Sequence, residues 1–197
     1  MTTFGAYLQL GFKHITDPNG YDHILFIIAL CAVYTIQDWQ KVLLLVTAFT
    51  IGHSVTLAMA TLGVFTYRRD VIEFLIPITI FSTAFGNFFY KPKETSLSEG
   101  KTSYLRYIFA LCFGFIHGLG FSSFLRSILG EEESLFQPLL AFNVGLEIGQ
   151  SLIVLLLLTL AYFFHTVLKV KRHSWILIVS GITIGVALTL IRNTWIF

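Results

Sequence analysis

The sequence predicts an all-α protein: a polytopic membrane helix bundle of about six transmembrane helices, preceded by a short N-terminal interfacial helix. Three observations lead there. The chain is 55% hydrophobic and 12% charged, with a mean hydropathy of +0.77, which fits an integral membrane protein and no soluble class. Apolar runs recur from end to end, each long enough, or nearly so, to cross a bilayer, which takes ~20 helical residues. The hydrophilic breaks between them are short, so residues 1–197 read as a single integral membrane domain.

The elements follow in order. Residues 4–14 form an amphipathic stretch, expected to lie in the interface and dip toward the core. Asp17-Pro18-Asn19-Gly20 is a strong turn signal after it. Apolar segments then fall at 21–37, 41–66, 71–90, 104–129, 137–168 and 174–195, the first of them short. Residues 91–103, rich in Lys, Ser and Glu, read as a surface connection. Residues 1–13 lack a basic region leading into a long apolar run and do not resemble a cleaved signal peptide. Cys31 and Cys112 each sit inside an apolar run, where isolated thiols act as packing groups rather than as a disulfide.

A net charge of +2 gives no footprint for nucleic acid. Basic residues set the expected orientation. The first, third and fifth connections hold Lys41, Lys91, Lys93, Lys101, Arg106, Lys169, Lys171 and Arg172, against Lys13, Arg68, Arg69, Arg126 and Arg192 on the other side. That bias predicts a multi-pass protein of the cell membrane with both termini on the non-cytoplasmic side. Glu131, Glu132 and Glu133 then join Asp17 and Asp70 on the outer face, either as an acidic vestibule that gathers cations or as a solvated loop.

Ionisable residues inside the apolar runs carry the functional signal. His53 and His117 lie deep in the second and fourth segments, and Glu147 lies in the fifth. At 1.5 Å per residue they sit about 18, 20 and 15 Å along their helices, at comparable expected depth. Asn143, Glu147 and Gln150 follow i, i+4, i+7 and share one stripe, while Thr50, His53 and Ser54 make a second polar patch. Unpaired, each group costs several kcal/mol in lipid, so both patches face protein or water. Asp22 and His23 open the first segment at the outer surface, or serve there as helix cap and interfacial anchor. Glu73 suits the first turn of its helix, where the dipole favours an anion. His165 and His173 lie among basic residues and read as interfacial. Gly114-x-x-x-Gly118 and Gly145-x-x-x-Gly149 bracket His117 and Glu147, and such spacing lets helices approach closely. Gly181-x-x-x-Gly185 reads as packing, or as a face for homo-oligomers.

These pieces resemble the HupE/UreJ family of membrane proteins over nearly the whole chain. The resemblance rests on His14-Ile15 with Gly20-Tyr21-Asp22-His23-Ile24-Leu25-Phe26; on Phe49-Thr50-Ile51-Gly52-His53-Ser54-Val55-Thr56-Leu57; on Phe113-Gly114-Phe115-Ile116-His117-Gly118-Leu119-Gly120-Phe121; and on Phe142-Asn143-Val144-Gly145-Leu146-Glu147-Ile148-Gly149-Gln150. Membership implies a nickel or cobalt permease, with His14, Asp22, His23 and His117 handling the metal. The gap between His14 and Asp22 is longer than the family's first motif has, and the His117 motif lacks a second His and a trailing Glu. Both departures mark a divergent branch.

Two chemistries use such residues. In the first, a divalent transition metal (nickel or cobalt) is captured at the outer mouth by Asp22 and His23. It passes to His53, His117 and Glu147, assisted by Ser54, Asn143 and Gln150. Imidazole with carboxylate suits such ions, and a transport site must bind weakly enough to release. No nucleotide-binding motif is present, so the drive would be an ion gradient or trapping inside. In the second, an intramembrane zinc hydrolase acts on a lipid or membrane peptide. His23, His53 and His117 would hold zinc, Asp22 or Glu147 would be the base, and Ser54 would orient substrate. An anchoring role without chemistry would explain the glycines but not the histidines. Expected partners are membrane lipids, the metal ion and, through the glycine faces, further copies of the chain.

Overall fold

The computed structural model describes residues 3–92, 104–129 and 135–196. These form α-helices throughout: α1 (Thr3–Thr16), α2 (Asp22–Cys31), α3 (Trp39–Thr61), α4 (Arg69–Asn87), α5 (Tyr104–Leu129), α6 (Phe136–Thr166) and α7 (Arg172–Asn193). No strand occurs among the described residues. Most of the expected 91–103 loop, and Glu131, Glu132 and Glu133 of the expected vestibule, lie outside the described residues. Four helical stretches are long and apolar enough to cross a membrane: Ile36–Thr61, Tyr104–Ile128, Phe136–Thr166 and Arg172–Asn193.

The first expected segment, 21–37, is not one helix. α2 ends at Cys31, and Thr35 is extended with φ −116° and ψ 170°. The cause is a capping box. The Thr35 hydroxyl donates to Asp38 Oδ2 at 2.9 Å, and the Thr35 N–H donates to the same oxygen at 3.3 Å. A short 3-10 turn at Ile36–Asp38 then leads into α3. Lys41 Nζ meets the buried Asp38 carboxylate at 2.9 Å, and Arg172 Nη2 donates to the freed Val33 carbonyl at 2.7 Å.

α1 does not lie flat at an interface. Gly11 of α1 approaches Phe142 and Leu146 of α6, Gly145 approaches Leu8 and Phe12, and Gly149 approaches Phe12, Ile15 and Thr16. The partner numbers rise together, so α1 runs alongside α6 in the same direction. α2 likewise runs with α4: Asp22 shares a cleft with Glu73 and Ile76, and Ala29 accepts a 2.8 Å hydrogen bond from Asn87. Since α4 and α6 run the same way, α1 and α2 are two halves of one broken traverse. The break is the Asp17–Gly20 turn, in which Asp17 Oδ1 accepts from the Asn19 N–H at 2.9 Å and the Asp17 carbonyl from the Gly20 N–H at 3.2 Å. The two helices have 14 and 10 residues, each shorter than the ~20 that one crossing takes.

α3 and α5 also run parallel, at very close range. A Cβ at Gly52 would collide with the Leu111 carbonyl, at Gly114 with the Phe49 carbonyl, and at Gly118 with the His53 carbonyl. α7 packs antiparallel on α4, with Trp195 against Phe74 and Ser180 hydrogen-bonded to Asn87 at 3.2 Å. One end of the bundle therefore gathers the start of α1, the end of α7, Gly63, Arg68, Arg69 and Arg126; the far end gathers Tyr34, Lys41, Tyr90, Arg106 and Arg172. Both cysteines are free, Cys31 buried and Cys112 exposed.

Candidate metal centre

The broken traverse brings its ends to one place. His14 lies in the last turn of α1 and Asp22 and His23 in the first turn of α2. Carbonyl-bearing helix C-termini attract cations, and Asp22 offsets the opposite field at the start of α2. α3 adds His53 and α5 adds His117, set at matching height by the glycine contacts between those helices. The His14 and His23 rings are centred 4.8 Å apart, His23 and His117 5.1 Å, and His53 lies 6.1 Å from both His14 and His23. His23, His53 and His117 are at most 4% exposed. Two overlapping triads result, His14–His23–His53 and Asp22–His23–His117, each with ligand atoms within 4.8 Å of one another.

Hydrogen bonds decide which nitrogens are free. Thr79 of α4 donates its single hydroxyl hydrogen to the Ile76 carbonyl at 2.7 Å, so toward His117 it can only accept. His117 Nε2, 3.1 Å away, therefore carries the proton and leaves the Nδ1 lone pair open. Asp22 Oδ1 accepts from His23 Nδ1 at 3.0 Å and from the His23 backbone N–H at 2.9 Å, which leaves His23 Nε2 open. Fixing one ring nitrogen through an outer partner is how metal-binding histidines are oriented. His14 Nε2, His23 Nε2, His117 Nδ1 and both His53 nitrogens are buried with no hydrogen-bond partner among the described residues. Orphaned imidazole nitrogens gathered in two overlapping triads, one of them with a carboxylate, fit a borderline divalent ion such as nickel, cobalt or zinc. Aromatic rings wall the centre: Phe121 lies tilted 3.9 Å from His14, Phe49 lies 5.2 Å from His117 and Phe142 lies 6.3 Å from His53.

Access comes from the end that holds the start of α1 and the end of α7. A cleft of about 270 Å³ reaches Asp22 past Asn19, Tyr21 and Glu73. A second, of about 610 Å³, reaches His14 past Lys13, Asp17 and Arg69. Glu73 pairs with Arg69 at 2.7 Å on the rim, and Arg68 pairs with Asp70. Both pairs are exposed, and the Arg68 guanidinium holds the Asp70 carboxyl below its usual range.

The remaining expected residues lie elsewhere. Glu147 accepts a hydrogen bond from Thr47, six residues before His53 on α3, and is in neither triad. Gln150 accepts from Thr50 at 2.7 Å, and Ser54 turns its hydroxyl onto the Thr50 carbonyl at 2.6 Å. Of the acids and serine that a hydrolase would draw on, only Asp22 stands at the histidines. His165 bonds the Val170 carbonyl at 3.0 Å, and His173 is exposed; both are remote from the centre in the chain's far-end connection. Sequence reasoning missed Thr79, whose one visible signal is a hydroxyl deep in an apolar run. It also missed that Thr47 and Thr50 would be the partners of the α6 stripe.

Across the whole chain, a family model described as HupE / UreJ protein matches residues 1–196. Comparison with curated proteins and with solved structures finds no match.

Proposed function

This chain belongs to the HupE/UreJ family, and on that premise we propose that it is a membrane permease for a divalent transition metal of the nickel and cobalt class. The observation that carries this reading is the cluster of unpartnered imidazole nitrogens within a bundle of apolar helices, approached by two clefts from one end. We take that end as the outer one, in keeping with the basic residues at the far end.

The ion meets Asp22 first, at the head of the smaller cleft, and exchanges water for the carboxylate. It then moves onto His23, which belongs to both triads. Because Asp22 fixes one nitrogen of that ring, the other is presented without further reorientation. His14 and His53 complete one ligand set, and His117, held by Thr79, completes the other. No thiolate takes part, since Cys31 is absent from both triads. A nitrogen-and-oxygen set of this kind binds firmly enough to strip hydration yet releases more readily than a thiolate site.

The test is uptake of Co²⁺ or Ni²⁺ into proteoliposomes holding the purified chain, with His23→Ala beside it. Time-dependent accumulation that His23→Ala abolishes supports the permease. Impermeable vesicles, together with one zinc per chain that survives mild chelation, would replace it with a resident-metal enzyme.

A further inference from the structure

Glu147 is a carboxylate far inside a long apolar helix, and it is not at the histidines. Its Oε1 accepts from the Thr47 hydroxyl, while Oε2 is buried with no hydrogen-bond partner among the described residues. One turn earlier on α6, Asn143 Oδ1 is in the same condition. One turn later, Gln150 is wholly buried, bonded to Thr50 through Oε1 and unpartnered at Nε2. Glu147 forms no ion pair among the described residues. A carboxyl group left without an ion pair in such surroundings either takes a proton or holds a cation, and the unpartnered oxygens beside it suit the second.

Position gives that cation a source. Phe142 of α6 touches both His14 and His53, with ring centres 5.8 and 6.3 Å away. The stripe Asn143–Glu147–Gln150 starts beside that ring and descends toward the far end. Thr47, which bonds the carboxylate, lies six residues before His53 on α3, ~9 Å along that helix toward the far end. A competing descent runs along α4, where Thr83 and Asn87 line a cavity of about 510 Å³. Arg106 also lines it, held over the Tyr34 and Tyr90 rings at 5.7 and 5.3 Å. A fixed guanidinium there repels a divalent ion, whereas the α6 stripe attracts one.

We propose that Glu147, Asn143 and Thr47 form a second cation site, built from oxygen donors alone, that receives the ion from the histidine centre and releases it toward the far end. The ion it serves in the cell rests on the permease reading; the site itself does not. Oxygen donors favour hard divalent ions and hold nickel or cobalt more weakly than imidazoles do, so affinity falls along the path.

Mn²⁺, which prefers oxygen ligands, is the probe. The full chain in detergent is titrated with Mn²⁺, and free ion is read by electron paramagnetic resonance. The expected result is a weak Mn²⁺ site that His53→Ala/His117→Ala retains and that Glu147→Gln weakens by at least ~10-fold, with Thr47→Val giving a smaller loss in the same direction. Glu147→Gln should leave the visible spectrum of Co²⁺ at the histidines unchanged while slowing Co²⁺ uptake into proteoliposomes by a similar factor. Mn²⁺ binding that survives Glu147→Gln, or that vanishes with the histidines, overturns the proposal. If wild-type vesicles take up no Co²⁺, the permease reading fails, and the second site stands or falls on the Mn²⁺ titration.

Discussion

Three helices carry glycines four residues apart, and only two of them use the pattern to close on a neighbour. Gly114 and Gly118 of α5 meet carbonyls of α3, and Gly145 and Gly149 of α6 meet α1. Gly181 and Gly185 of α7 touch nothing within 4 Å of where a side chain would begin. The difference lies in the partner. α3 answers α5 with Gly52 and α1 answers α6 with Gly11, each pressed against the opposing backbone. The neighbour of α7 is α4, whose Gly86 likewise meets nothing. A small-residue pattern closes an interface when it is reciprocated, and here both reciprocated pairs are parallel. Parallel helices in fixed register keep residues at matched heights, which is what His53 and His117 require. The histidine cluster is thus a consequence of where backbones come closest.

The strongest way to break this comparison is to force a closed pair apart. Gly118→Leu would drive a side chain into the His53 carbonyl and the Thr56 hydroxyl. Overpacking of this kind costs about 1–3 kcal/mol, and the obstacle here is backbone, which yields least. Thermal unfolding in detergent should shift down, and Co²⁺ affinity should fall in the same variant because His53 and His117 are displaced together. A variant with normal affinity would show that the glycine contact does not set the histidine geometry.

His53→Ala separates ligand from scaffold. His53 has both nitrogens unpartnered, so its loss leaves no hydrogen-bonding group stranded. The α3–α5 contact should survive, and unfolding should move only as a cavity requires. Co²⁺ affinity should fall by more than the ~10–100-fold that losing an outer partner brings. Isothermal titration reads the affinity directly.

The sequence announced part of this in advance. Hydropathy located α3, α5, α6 and α7, because long apolar helices are decided by local composition. Motif residues named every member of the two triads: His14, Asp22, His23, His53 and His117. Depth counting placed Glu147 level with the histidines, yet it bonds to Thr47. Depth along a helix does not say which neighbour a side chain meets, and Glu147 is in neither triad. The broken traverse was legible only as two oddities, a short first segment and an amphipathic stretch before it. That α1 runs along α6 depends on Gly11 meeting Phe142, a contact between residues far apart in the chain. Thr79 was hidden for the same reason, since a threonine in an apolar run is ordinary until a histidine faces it.

Thr79→Val sharpens the centre itself. The substitution keeps shape and removes the acceptor that holds His117 Nε2–H. The ring is then free to turn or change tautomer, and metal affinity should drop by ~10–100-fold while the fold is kept. Thr79→Ser should restore most of it. If valine binds as tightly as threonine, the orientation of His117 comes from the surrounding Phe26 and Phe49 rings instead.

The smallest effect is expected on the open face. Gly181→Leu and Gly185→Leu place side chains where no atom of the same chain lies within 4 Å. Replacing glycine within a helix removes its backbone freedom in the unfolded state, so stability should hold or rise slightly, staying within about 0.5 kcal/mol. Metal binding should be untouched, since α7 supplies no ligand. The same pair reports on self-association, because small residues facing lipid let a second copy approach. Light scattering in detergent should give one mass for wild type and variants if the face meets only lipid. A larger wild-type mass that falls to a single chain in Gly181→Leu would mean that this third pattern is reciprocated after all, by its own copy.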